Sequence, residues 1–224
     1  MPRLTGLFMI CILLASWAVV ANASTWGGHN GDIRLTFTEG PEYEHVKQSE
    51  PMPKAGVIID LYAVLSGVER VTYLGQQYLS VGGWELQLRV DGAEWEIMEI
   101  ELPELSINAG AEKGCMYVGK YTGVKFVDGD AKLARWRIRL LGDPKNVTFS
   151  LDPAGLNSCA AMAGCPDSGT QALWTGSGAA GQVGLLFSAG YIPAYLNWEG
   201  ETPELKPVRG KGDWRDTGLF TLDE

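Results

Sequence analysis

Apolar and polar residues alternate with a period of two along most of this chain, which is the pattern of strands that bury one face and leave the other outside a core. Ile33, Leu35 and Phe37 alternate with Arg34, Thr36 and Thr38. Val57, Ile59, Leu61, Ala63 and Leu65 alternate with Ile58, Asp60, Tyr62 and Val64, an apolar-rich strand expected near the middle of a sheet. Trp84, Leu86, Leu88 and Val90 alternate with Glu85, Gln87, Arg89 and Asp91, and the Asp91-Gly92 pair predicts a hairpin into the strand Trp95 to Leu102. Tyr117 to Val127, broken at Gly119 and Gly123, predicts one or two further strands. After the turn Asp128-Gly129-Asp130, Ala134, Trp136, Ile138 and Leu140 alternate with Arg135, Arg137 and Arg139. Short strands follow at Val147 to Leu151, Leu173 to Thr175, Gln182 to Phe187 and Tyr191 to Trp198. No apolar stripe of helical period runs longer than about two turns.

Nine or ten short strands punctuated by Gly, Pro and Asp-Gly predict an all-β fold, an antiparallel sandwich of two sheets. Between the strands, Glu39 to Lys54 is rich in Pro and Glu and is expected to be a long loop; Val71 to Leu79 fits a short strand or a turn. The sandwich is expected over residues 32–198, after a flexible stretch at 24–31. Residues 199–224 form a polar tail or strap that Trp214, Leu219 and Phe220 could dock.

The first 23 residues change where this domain is expected to reside. Arg3 precedes an apolar run from Leu7 to Val20 that ends on Ala21-Asn22-Ala23, the marks of a secretory signal peptide cleaved after Ala23. The expected product is extracellular. No second apolar run approaches the roughly 20 residues needed to cross a bilayer. The leader removes Arg3 from the 18 Lys and Arg and none of the 27 Asp and Glu, so the net charge moves from −9 to −10. Such an acidic balance disfavours nucleic acid and anionic membranes as partners. Export also favours a disulfide, and the spacing of Cys159 and Cys165 makes them the candidate pair; Cys115 is then a buried free thiol, or a partner of Cys159 or of another chain.

Each chemical motif has a plainer reading. Gly176 to Gly181 matches GxGxxG, but Gly190 and Pro193 follow too soon for a crossover helix, which predicts a Gly/Ala hairpin loop. Asp128-Gly129-Asp130 offers two carboxylates, fewer than Ca²⁺ requires, and is expected to be a turn. His29 and His45 stand in segments expected to be loops, and no GxSxG elbow accompanies them. Glu94, Glu96, Glu99 and Glu101 on one arm are expected to be a solvated face rather than half of a glycosidase carboxylate pair. No catalytic, cofactor or metal residue is therefore assigned. Trp84 and Trp136 share parity with aliphatic neighbours and belong to the core. Trp26, Trp174, Trp198 and Trp214 are less determined, and Trp174, Trp198 and Trp214 are the candidate ligand surface, since exposed aromatics suit the apolar faces of sugars.

The order of segments resembles the cohesin-like group of bacterial extracellular sandwiches, with an immunoglobulin-like layout. The residues that carry the likeness are Val57 to Leu61, then Gly83 to Asp91 at a Gly-aromatic strand ending in an acidic turn, and Gly129 to Ile138 at a Gly-small-Leu-Ala strand. The resemblance implies a sandwich that binds another protein or a surface polysaccharide without catalysis. Cohesins proper bind dockerin modules through one sheet face; no dockerin-contact residue is matched here, so that partner is not carried over. The expected function is thus recognition of an extracellular protein or surface, with a carbohydrate-binding module or a paired-carboxylate hydrolase as alternatives.

Overall fold

The computed structural model describes residues 25–40, 42–49, 56–69, 72–73, 76–77, 80–110, 113–154, 172–177 and 183–209. The leader, Cys159, Cys165 and Trp214 lie outside the described residues. Among those described, the chain forms strands alone: β1 (Thr25–Thr36), β2 (Val46–Lys47), β3 (Val57–Ser66), β4 (Thr72–Tyr73), β5 (Gln76–Gln77), β6 (Ser80–Asp91), β7 (Glu94–Glu101), β8 (Ser106–Asn108), β9 (Cys115–Lys125), β10 (Ala131–Leu141), β11 (Val147–Asp152), β12 (Ala172–Ser177), β13 (Val183–Ile192) and β14 (Ala194–Leu196).

Two layers follow from the pairing. In the first, β7, β10, β3, β1 and β13 lie side by side; in the second, β8, β9, β6, β11, β14 and β2 do. β12 pairs with both β6 and β13, so the two layers are hydrogen-bonded into one twelve-stranded sheet, and β4 and β5 form a separate ribbon. The alternating residues meet between the layers: Ile33, Leu35, Leu61, Leu65, Leu86, Trp136, Ile138, Phe149 and Phe187 are fully buried there. Phe37 and Phe149 pack edge to face across the layers with centroids 5.8 Å apart. Such contacts, with burial worth about 25 cal/mol per Å² of apolar surface, are what a two-layer fold has in place of helices. Trp84 and Trp136 are in this core, as their parity requires.

The architecture is the expected all-β sandwich, with more strands than expected and two parallel pairs, β1 with β13 and β14 with β2. β1 also begins well before Ile33. Residues 25–31, expected to be flexible, pair with β13, where Thr25 lies opposite Leu185 and His29 opposite Ser188. Their glycine-rich sequence gives no alternation, and the strand exists because a partner strand supplies its hydrogen bonds.

The hairpin expected at Asp91-Gly92 is corrected. β6 belongs to the second layer and β7 to the first, so the turn carries the chain from one sheet to the other. β6 pairs instead with β9, β11 and β12, and β7 with β10. Gly92 has φ +91°, and a Cβ on it would come within 2.8 Å of the Asn146 carbonyl. That close approach favours glycine whether the turn closes a hairpin or an arch. The Asp128-Gly129 turn makes a second crossing between layers. Both residues have positive φ, 51° and 88°, and Val127 and Asp130 exchange backbone hydrogen bonds of 2.8 and 3.0 Å around them.

Candidate functional site

Register decides which side chains stand on the outside of the second layer. On β6, Trp84, Leu86 and Leu88 face the core, so Glu85, Gln87, Arg89 and Asp91 face outward. On β11, Thr148, Ser150 and Asp152 alternate outward against buried Val147, Phe149 and Leu151. Thr148 pairs with Asp91 on one side and with Tyr195 of β14 on the other, placing Asp91, Thr148 and Tyr195 in one row across three strands. Arg89 and Ser150 form the next row, Gln87 and Asp152 the third.

Chemistry on this face is concentrated at one end. Tyr195 and Trp198 meet edge to face with ring centroids 5.1 Å apart. The Trp198 indole N–H donates to the Glu201 carbonyl at 3.1 Å, which orients the ring. Beside them Arg89 Nε donates to Asp91 at 2.8 Å, with Asp152 3.9 Å from the same guanidinium. Arg89, Asp91 and Asp152 are each about half exposed. Partial burial pushes the Tyr191 hydroxyl above its ordinary pKa, reinforced by the Asp152 carboxylate, and burial does the same for Tyr195. Both are therefore neutral phenols, able to donate as well as accept. Toward the other end the face is covered: Glu85, Cys115 and Leu173 point outward by register and yet are buried.

The edge of this face carries a small cavity of about 170 Å³, lined by Gln48, Ser49, Asp143, Lys145, Asn197 and Glu199 among others. Two asparagines lie in the left-handed region here, Asn197 (φ 51°) in the wall and Asn146 (φ 49°) beside it. The Asn197 amide donates to the Pro144 carbonyl at 2.9 Å and accepts from the backbone and hydroxyl of Ser49, while Asn146 accepts from Glu199 N. Asparagine tolerates this backbone region because its short amide bonds locally, and here those bonds lock three loops together.

Of the three tryptophans expected to form a ligand surface, Trp198 alone lies beside the outward residues of the second layer, against Tyr195. Trp174 is corrected: it is 1 % exposed, stacked on Phe187 at 4.5 Å, with its indole N–H donating to the Asn30 carbonyl at 2.9 Å. Its neighbours Ala172 and Leu173 show no clear alternation, so its side could be read only once β12 was seen between β6 and β13. Trp214 lies outside the described residues, as do Cys159 and Cys165. Cys115 is a buried free thiol. Sequence reasoning passed over Tyr191, Tyr195 and Asp152; the parity of Tyr195 against Ala194 and Leu196 was the available signal.

The remaining motifs have structural duties. Gly176 and Ser177 end β12, which pairs antiparallel with β13, while the rest of the expected Gly/Ala hairpin loop, 178–181, lies outside the described residues. Tyr43 donates a hydrogen bond to the Asp130 carboxylate, and burial together with that carboxylate pushes its own pKa up to about 12. Among the described residues no group of three His, Cys, Asp or Glu is arranged to hold a metal. Of the two histidines expected in loops, His45 lies outside the strands just before β2, whereas His29 does not. His29 is in β1, 3.7 Å from Asp32. His45 is buried with Nδ1 2.6 Å from the Leu35 carbonyl, and burial lowers its pKa. The glutamates of β7 are outward or exposed: Glu96 pairs with Arg139 at 2.7 Å and Glu101 with Arg135 at 2.6 Å. The basic strip of β10 is thereby largely neutralised within its own sheet.

No protein-family model and no curated protein matches the chain. Solved structures that it resembles are cohesin modules. The seventh ScaB type I cohesin from Pseudobacteroides cellulosolvens is 8 % identical with a TM-score of 0.46, covering 78 % of this chain and 96 % of that one. The cohesin module of a family 33 glycoside hydrolase from Clostridium perfringens is 12 % identical with a TM-score of 0.41, covering 76 % and 99 %. A non-cellulosomal cohesin from the archaeon Archaeoglobus fulgidus is 13 % identical with a TM-score of 0.40, covering 76 % and 92 %.

Proposed function

We propose that this protein is a non-enzymatic recognition module of the extracellular space, binding a protein or surface through the open end of its second sheet. The observation that carries the reading is the juxtaposition of Tyr191, Tyr195 and Trp198 with the Arg89, Asp91 and Asp152 cluster at one end of the outward strand face. Rigid aromatics supply contact area at low entropic cost, and half-exposed charges supply orientation without the expense of burying an ion. A hydrolytic site needs a desolvated carboxyl with a raised pKa. Asp91 and Asp152 instead share a guanidinium and stand open to solvent.

The test is capture from the native extracellular fraction by residues 24–224, beside the Tyr195→Ala/Trp198→Ala variant and an Arg139→Ala control on the opposite sheet. A partner retained by the control and lost by the double variant supports the reading; a partner insensitive to the double variant, or hydrolytic turnover by the purified protein, overturns it. A carbohydrate ligand is the second reading, favoured by the Tyr195 and Trp198 rings beside carboxylates able to accept from sugar hydroxyls. Retarded migration in gels containing soluble polysaccharides, abolished by Trp198→Ala, would select it.

A further inference from the structure

The segment that holds the aromatic end of the proposed recognition face is itself pinned by a buried histidine. β2 is two residues long and, among the described residues, pairs with β14 alone, where Tyr195 lies opposite Val46 and Leu196 opposite Lys47. Tyr195 N donates to the His45 carbonyl at 2.7 Å and Asn197 N to the Lys47 carbonyl at 2.9 Å. Gln48 Nε2 donates to the Trp198 carbonyl at 3.0 Å, and Ser49 donates to the Asn197 amide oxygen. Residues 45–49 thus hold Tyr195, Asn197 and Trp198 in turn.

An edge strand this short supplies few ladder bonds and needs an anchor. The anchor is His45, which is 6 % exposed. Its Nδ1 lies 2.6 Å from the Leu35 carbonyl of β1. A carbonyl only accepts, so Nδ1 carries the hydrogen, and the ring ties the segment on β14 back to the first layer. Nε2 of the neutral ring is then a bare lone pair, buried without a hydrogen-bond partner, with the Pro193 carbonyl beside the ring. Two acceptors therefore flank a side chain that has one hydrogen to give.

A second proton would place a cation in this enclosure. Burial opposes it most and the Arg34 cation adds to the opposition; together they outweigh the two carbonyls, so the His45 pKa lies below its ordinary 6.5. The titratable groups on the elements around the ring are Arg34 on β1, Tyr43 and Glu44 just before it in sequence, Lys47 on β2 and Tyr195 on β14. Tyr43 stands 6.2 Å away, ring to ring, between the Arg34 guanidinium at 5.0 Å and its hydrogen bond to Asp130. Of all these, the Arg34 cation is the one that bears on the charge of His45. Once residues 45–49 swing away, the ring is hydrated and recovers its ordinary value. The open form then takes up the proton more readily than the closed one, so acid favours opening. The sign is that of a depressed histidine: the closed form is firmest above about pH 6.5 and weakens as pH falls below it.

We propose that His45 is an acid-sensitive pin, whose uptake of a proton releases residues 45–49 from β14 and so dissolves the arrangement of Tyr195 and Trp198 that recognises a partner. The consequence for binding rests on the recognition reading above; the release itself does not. Histidine is the side chain that ordinarily titrates between pH 7 and 5, and the chain has two, His29 and His45. The measurement is amide exchange of residues 24–224 at pH 7 and pH 5, expressed as protection factors so that the intrinsic slowing of exchange in acid cancels. It is made on the parent, on His45→Asn, whose amide N–H stands in for Nδ1–H toward Leu35, and on His29→Gln as the control.

In the parent, protection at Tyr195 and Asn197 should fall at least about threefold from pH 7 to pH 5, against a ceiling of about 25-fold for a ring that is charged only when open. Amides of β3 and β10, such as Leu61 and Trp136, should keep their protection, which separates local release from unfolding. His29→Gln should respond as the parent does, and His45→Asn should show equal protection at both pH values. Unchanged protection in the parent, an equal fall along β3 and β10, or an acid response that survives in His45→Asn overturns the proposal. If that variant does not fold, the ring resonances of the parent decide, assigned by the loss of one set in His29→Gln: a His45 ring that titrates at or above pH 6.5 overturns it. A partner captured through Tyr195 and Trp198 at pH 7 should be released at pH 5 by the parent, and its retention overturns the link to binding. Capture that fails at both pH values counts against the recognition reading alone, because protection is measured without a partner.

Discussion

Replacing Asp32 by asparagine should loosen the C-terminal strap and remove one pH-dependent increment of stability. Asp32 sits on β1 opposite Gly190, 15 % exposed, and Arg209 grips it from the tail with Nε at 3.1 Å and a terminal nitrogen at 2.8 Å. Next to this pair, Val208 and Tyr191 exchange backbone hydrogen bonds of 2.9 and 2.7 Å, which is how residues 199–209 lie against the domain. A Cβ at Gly190 would collide with the Asp32 carboxylate, so the glycine keeps the seat open. Burial by itself would raise the Asp32 pKa. Donors overcome it and bring the value down to about 2; His29, at 3.7 Å, stands beyond hydrogen-bond reach, so the bidentate Arg209 is the stronger partner.

The sign and size of the effect follow from linkage. An unfolded Asp titrates near about 3.9, and a depression to about 2 corresponds to roughly 2.6 kcal/mol favouring the folded state once both forms are ionised. Arg209 is more than half exposed, so solvent screening reduces this to about 1 kcal/mol. Because the folded pKa is the lower one, the increment is complete above about pH 5 and lost as pH falls from about 4 to 2. Urea unfolding of parent and Asp32→Asn from pH 7 to 2.5 should show a difference of about 1 kcal/mol that closes across that acid window. Tryptic cleavage after Arg209 should be faster in the variant at pH 8. A difference that stays constant down to pH 2.5 would falsify the assignment of the Asp32–Arg209 pair.

Other consequences can be checked on the same material. Trp174→Ala removes the ring stacked on Phe187 and is expected to cost about 3–5 kcal/mol in urea unfolding; a loss under 1 kcal/mol would place Trp174 outside the core. Gly92→Ala, which forces a side chain into a left-handed turn against the Asn146 carbonyl, should cost about 1–3 kcal/mol, while an unchanged midpoint would mean that the sheet-to-sheet turn has room to relax. Peptide mapping after iodoacetamide should find Cys115 unmodified in the native protein and modified in guanidinium, since a buried thiol is inert; native modification contradicts its burial.

What the chain's pattern determined by itself was which residues face inward. The period-two alternation placed Ile33, Leu61, Trp84, Trp136 and Phe149 in a core, and an all-β sandwich followed because alternating strands must be covered on one side. Local chemistry was legible too, in the Asp128-Gly129 turn, since turn geometry depends on a few neighbouring residues. Pairing was not legible. Asp91-Gly92 reads the same whether it closes a hairpin or carries the chain to the other sheet, because alternation fixes a face and says nothing of the neighbour across it. The parallel match of β1 with β13, the burial of Trp174 and the outward Glu85 that is nonetheless covered all depend on contacts between residues far apart in sequence. The same holds for the proposed recognition surface: Asp91, Thr148 and Tyr195 form a row only once three strands are in register.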